Sequence, residues 1–150
     1  MSPGITTATN KIQGLKGRIR AVQGGTASSK TYSILICLID QAQRDKEPTI
    51  TSVVSESFPH LKRGAIRDFI TILEGLKRFQ EARWNKTDYI YTFENNSKIE
   101  FFSADQPDKV RGPRRDRLFI NEANNIAFET FEQLEVRTKD FIFLDWNPVS

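Results

Sequence analysis

Residues 24–31 read Gly24-Gly25-Thr26-Ala27-Ser28-Ser29-Lys30-Thr31, two glycines ahead of a Lys-Thr pair. Just before them, Arg18-Ile19-Arg20-Ala21-Val22 alternates polar and apolar, the period of a strand. Just after them the chain is apolar nearly all round through Ile39, and a buried helix is expected from about Ser29 to Arg44. A strand, a glycine turn and a helix in that order make a phosphate-binding loop. The glycines let the backbone curl so that its N–H groups face an anion, and the helix adds its positive N-terminal end. In the pattern G-x-x-x-x-S-K-T, Lys30 is placed to reach the β- and γ-phosphates and the Thr31 hydroxyl to ligate Mg²⁺. Ser29 stands where glycine is usual, which needs no positive φ if the residue is already helical. The plainer alternative is a glycine-rich turn that binds nothing. Lys-Thr at the opening of a buried helix argues against it.

Working outward, strands and helices alternate. Thr49 to Ser55 is β-branched and reads as a central strand. Pro59 suits the first turn of a helix, and Leu61, Ala65, Phe69 and Leu73 recur every fourth residue along one apolar face. Residues 89–93 and 98–102 are strand-like around Glu94-Asn95-Asn96-Ser97, a hairpin signal. Arg117 to Ile120 reads as a buried strand, Phe128 to Arg137 as a short helix, and Phe141 to Asp145 as a further strand. This order predicts an α/β fold, a mainly parallel three-layer sheet with a β-hairpin insertion.

Composition sets outer bounds. A chain of 150 residues is about one domain. Residues 1–17 read as a flexible arm and 18–150 as the domain. Net charge is +3, a mild excess that permits a polyanionic partner without demanding one. Cys37 is the one cysteine, so an internal disulfide is excluded, and its place in the apolar run 34–39 makes it buried and inert. One Cys and one His are too few soft ligands for zinc. No apolar stretch reaches the roughly 20 residues of a membrane helix, and the polar N-terminus lacks a signal-peptide block. A soluble, intracellular protein without a membrane partner is expected.

A second chemical element is Leu118-Phe119-Ile120-Asn121-Glu122. An apolar strand ending in two polar groups is a way to set a metal ligand and a base beside a phosphate loop. Glu122 is the candidate to polarise an attacking water. Asn121 occupies the position normally held by an Asp that binds Mg²⁺. A neutral amide can bond a metal-bound water but brings no charge. Third, Lys109, Arg111, Arg114, Arg115 and Arg117 put five cations in nine residues, a phosphate-contacting segment or a solvated loop. Lys62, Arg63 and Arg67 form a smaller patch opposite the apolar helix face, for which solvation is the favoured reading. Trp84 and Trp146 are read as packing residues, and His60, without a visible partner, as structural.

These residues together resemble the N-terminal ATPase region of bacteriophage terminase large subunits. The resemblance runs through QGGTASSKTYSIL (23–35), VVSESFPHLKRGAIRDF (53–69), KVRGPRRDRLFINEAN (109–124) and FLDWNPVS (143–150). It implies a RecA-like P-loop NTPase with an extra strand, Phe141 to Asp145, between the loop strand and the acidic strand. It also implies ATP and Mg²⁺ as cofactors. Gly24, Gly25, Thr26, Ala27, Ser28, Ser29, Lys30 and Thr31 would hold the nucleotide, Thr31 and Asn121 the metal, and Glu122 would activate water. Arg111 would act in trans on the next subunit. Asp145 and Asn147 would lie in the segment coupling hydrolysis to DNA movement. The implied partners are double-stranded DNA, a homo-oligomeric ring, a portal protein and a small terminase subunit, in the host cytoplasm at the procapsid portal. DNA-contacting residues are not assigned. Thr26 stands where many relatives carry an arginine. The chain reads as a partial ATPase domain, with an incomplete sheet, at least one exposed edge and no segment resembling the family's nuclease. Two other readings remain open: a nucleotide-binding assembly module without turnover, and another P-loop enzyme such as a helicase or kinase.

Overall fold

In the computed structural model, which describes residues 17–23 and 27–146, one seven-stranded sheet runs in the order β1-β7-β6-β2-β5-β4-β3. The strands are β1 (Ile19–Gln23), β2 (Ile50–Ser55), β3 (Trp84–Asn85), β4 (Ile90–Thr92), β5 (Lys98–Ser103), β6 (Arg117–Ile120) and β7 (Ile142–Trp146). The five from β1 to β5 in that order pair in parallel, and β4 and β3 extend the sheet antiparallel. The expected hairpin is therefore built into the sheet itself: β5 is both one arm of the turn and the parallel neighbour of β2. β7 inserts between β1 and β6, the expected position of the extra strand. β1 lies at the sheet edge with Ile19 half exposed.

The period of two sorts each strand between two apolar layers. Val53, Ile99, Phe101, Phe119 and Phe143 pack on the first side, under α1 (Ala27–Arg44) and α3 (Arg67–Gly75). Val54, Phe102, Leu118, Ile120 and Ile142 pack on the second, with Val110 of α4 (Pro107–Val110) and Leu134 of α5 (Phe128–Val136). Trp84 is buried against Phe69, Tyr91 and Phe101, so it is a packing residue as expected. Cys37 is partly buried, and desolvation pushes its thiol up to about 12, in keeping with an inert role.

The second helical segment departs from a plain α-helix. α2 (Phe58–Leu61), capped by Ser57, passes through a π turn (Lys62–Ile66) into α3. Leu61, Ala65, Phe69 and Leu73 are all fully buried. A step of four residues overshoots an α-helical turn of 3.6 by about 40°. Three such steps would swing the stripe well off the core, and a wider turn absorbs part of that drift.

The segment from Asp105 to Arg115 is polar and basic, yet it contains α4 and two buried side chains, Val110 and Arg115. The Arg115 guanidinium donates to Ser52 Oγ at 2.8 Å and to the Leu134 carbonyl at 3.1 Å. Arg117 is buried in a bidentate pair with Asp45, at 2.7 and 2.8 Å. Two of the five cations counted as possible phosphate contacts are thus consumed inside the fold. Arg111 and Arg114 are exposed.

Candidate nucleotide site

The parallel strands β6 and β7 are in register, Phe119 opposite Phe143 and Ile120 opposite Leu144. One residue further on, Asn121 and Asp145 come side by side. Alternation turns both toward the face that carries α1, the face shared by Phe119 and Phe143. There they meet Thr31, in the first turns of α1. Thr31 Oγ1 donates to Asp145 Oδ2 at 3.2 Å, and Asn121 Nδ2 donates to Thr31 Oγ1 at 3.4 Å. All three side chains are buried. Lys30 is also buried, and its ammonium donates to the main-chain carbonyl of Trp146.

Glu122 follows in the left-handed region, φ 54° and ψ 56°. For a residue with a Cβ this conformation costs roughly 1–2 kcal/mol. Its N–H donates to Asp145 Oδ1 at 2.6 Å, which fixes the turn. Asp145 therefore holds two elements at once, the hydroxyl of α1 through one oxygen and the turn after β6 through the other. Burial pushes its carboxyl up to about 6 and the nearby Glu122 charge acts the same way, against the Glu122 N–H, the Thr31 hydroxyl and Lys30.

A shallow cleft of about 250 Å³ opens beside Thr31 and the turn after β6. Thr31, Asn121 and Glu122 line one wall, and His60, Arg63, Gly64, Arg67 and Asp68 of the α2–α3 segment line the other. The patch assigned to solvent in the sequence thus overlooks the cleft through Arg63 and Arg67. No periodicity could have revealed this, because the facing wall is set by the tertiary packing of α3 on the sheet. His60 is partnered locally, with Nδ1 3.0 Å from Ser57 Oγ and 3.1 Å from Glu56 Oε1. Arg111 does not line this cleft. It is exposed on α4's C-terminal side, with Nε donating to Gln133 Oε1 at 3.1 Å. Gly24, Gly25, Thr26 and Asn147 lie outside the described residues, as does the expected arm except Gly17. Ala27, Ser28 and Ser29 enter as the first turn of α1.

Among the described residues, no cluster of three or more His, Cys, Asp or Glu side chains could hold a metal unaided. A magnesium ion carried in by phosphates needs less: one hydroxyl and one carboxylate suffice from the protein. The donor set of Thr31 and Asp145, with Asn121 beside them, fits that requirement.

The phage terminase large subunit family model matches residues 16–150. The chain belongs to this family. Three solved structures of large terminases share its fold. One, from a thermophilic bacteriophage, superimposes with a TM-score of 0.77 at 15% identity, covering 95% of this chain and 39% of that one. The same phage's large terminase in complex with ATP-gamma-S gives 0.76 at 15% identity, over 95% of this chain and 38% of that one. The large terminase ATPase domain of Thermus phage P74-26 gives 0.66 at 15% identity, over 94% and 64%. The chain thus spans about two fifths of the first terminase and just under two thirds of the Thermus phage domain. No curated protein matches the sequence. No helix among the described residues is long and apolar enough to cross a membrane.

Proposed function

We propose that this chain is the nucleotide-binding core of a DNA-packaging motor, and that it binds and hydrolyses Mg·ATP in the cleft beside α1. The observation that carries the reading is the convergence of Thr31, Asn121, Glu122 and Asp145 where the C-terminal ends of β6 and β7 meet the start of α1. Ligands of parallel α/β sheets bind at this end of the strands. A terminase relative solved with ATP-gamma-S supports ATP as the nucleotide.

In this reading residues 24–31 contact the phosphates, Ala27 to Ser29 from the first turn of α1, and Lys30 neutralises their charge. Thr31 orients the metal-bearing end of the nucleotide from below. The metal, when bound, neutralises charge on the β- and γ-phosphate oxygens. Glu122, held in its left-handed turn by Asp145, accepts the proton of the attacking water. Arg63 and Arg67 add positive charge from the opposite wall. Arg111, exposed and outside the lining of its own cleft, is available to a neighbouring subunit. Asp145, at the end of β7, and Asn147, two residues further along the sequence, would couple hydrolysis to DNA movement. The motor would assemble as a ring at a portal with a small terminase subunit, in the host cytoplasm, and would drive double-stranded DNA.

Binding of a fluorescent ATP analogue tests the core of the reading. Lys30→Ala should weaken it at least tenfold, and double-stranded DNA should stimulate phosphate release by the intact motor. Unaltered affinity in Lys30→Ala would remove the phosphate loop from the mechanism. Asn121 favours a second reading, binding without turnover. Tight Mg·ATP binding with no phosphate release, alone or in the assembled ring, would support it.

A further inference from the structure

We propose that Asp145 is the carboxylate that anchors magnesium in this chain, taking the part that an aspartate at position 121 would otherwise play. The inference rests on reading the cleft as a Mg·ATP site and assigns one of its residues. In P-loop enzymes the metal is held by the hydroxyl of the loop Ser or Thr and by an aspartate at the end of the acidic strand. Here Asn121 follows that strand, β6, and turns an N–H toward the hydroxyl, 3.4 Å from Thr31 Oγ1. An N–H repels a cation. A flipped amide would bring a neutral oxygen and still no charge.

The adjacent strand supplies what is missing. Asp145 is the neighbour of Asn121 across the β6–β7 register and is buried on the same face. Its Oδ2 accepts the Thr31 hydroxyl proton at 3.2 Å. The Thr31 hydroxyl and a buried carboxylate thus stand side by side, an oxygen pair of the kind that holds magnesium. The negative charge thus stands one strand to the side of position 121. Because Oδ1 of the same carboxylate holds the Glu122 N–H at 2.6 Å, metal binding and the orientation of the base share one side chain.

Titration of Mn²⁺, followed by electron paramagnetic resonance in the presence of ATP, tests this without requiring turnover. Asp145→Asn keeps an oxygen for the Glu122 N–H. It should weaken Mn²⁺ binding at least tenfold and leave ATP affinity in EDTA within about twofold of the parent. The exchanged variant Asn121→Asp/Asp145→Asn should recover most of the metal affinity, and it decides the matter should the single variant melt early. Unchanged Mn²⁺ affinity in Asp145→Asn, or no recovery in a folded exchange variant, would overturn the assignment of Asp145. A parent protein that binds no ATP with or without metal would overturn the nucleotide reading itself.

Discussion

The main-chain N–H of Glu122 is fastened to Asp145 Oδ1 at 2.6 Å, so the turn that aims the candidate base is held by a side chain from another strand. Aim and acidity are thereby separated. Glu122→Gln preserves the turn and removes the proton acceptor. It should bind Mg·ATP as the parent does, while phosphate release falls by about 10²–10⁴. Rapid-quench measurement in the assembled motor distinguishes the two steps. Hydrolysis at the parental rate would exclude Glu122 as the base.

A different electrostatic contact governs acid stability. Asp45 pairs with Arg117 with both side chains at most one tenth exposed. Burial works to raise the Asp45 carboxyl, but hydrogen bonds from Arg117, Thr49 and Gln41 outweigh it and hold the group below its ordinary 3.8. The unfolded chain therefore binds the proton first. The pair's contribution is complete above about pH 4 and is lost as pH falls through the lower folded value. Asp45→Asn should flatten the acid limb of the stability curve. At neutral pH, Arg117→Ala should cost about 3–5 kcal/mol by leaving Asp45 buried and unpaired. Urea melts at pH 7 and pH 3 measure both.

The exposed Arg111 side chain donates to Gln133. Arg111→Ala should leave stability within about 0.5 kcal/mol and leave ATP binding intact. Turnover by the ring should drop by about 10³ or more. Mixing Arg111→Ala subunits with Lys30→Ala subunits should restore part of the activity, since some interfaces then join an intact loop to an intact arginine. Absence of any recovery would argue that Arg111 does not act between subunits.

Gly64 sits inside the π turn with no atom within 4 Å of where a Cβ would stand, and its φ is not positive. Packing gives no reason for glycine there, and a helical glycine costs roughly 1 kcal/mol relative to alanine. Gly64→Ala should raise Tm. Because Gly64 borders the cleft, the same change should weaken ATP binding where the nucleotide approaches the backbone.

Much of this arrangement is legible in the residues. The chain from Arg18 to Thr31 reads as strand, turn and helix because alternation gives way to an apolar run at the glycines. The place of β7 is readable only through the resemblance of residues 143–150, since no local signal says which strand lies between which. The basic segment 109–117 misleads in part because charge density does not reveal burial. Arg115 and Arg117 find partners far away in sequence, at Ser52, Leu134 and Asp45. The metal-side role proposed for Asp145 is hidden for the same reason. Its significance depends on a hydroxyl more than a hundred residues earlier. The π turn is present as a strict spacing of four, visible as an apolar stripe but not as a change in helical pitch.

The Asp45–Arg117 pair closes the foot of β6 against the end of α1, while the other end of the same strand and helix meets at Thr31, Asn121 and Asp145 through single hydrogen bonds. The helix and the sheet are therefore clamped at one end and lightly latched at the other. Protonation of Asp45 thus loosens the helix at the end away from the nucleotide site.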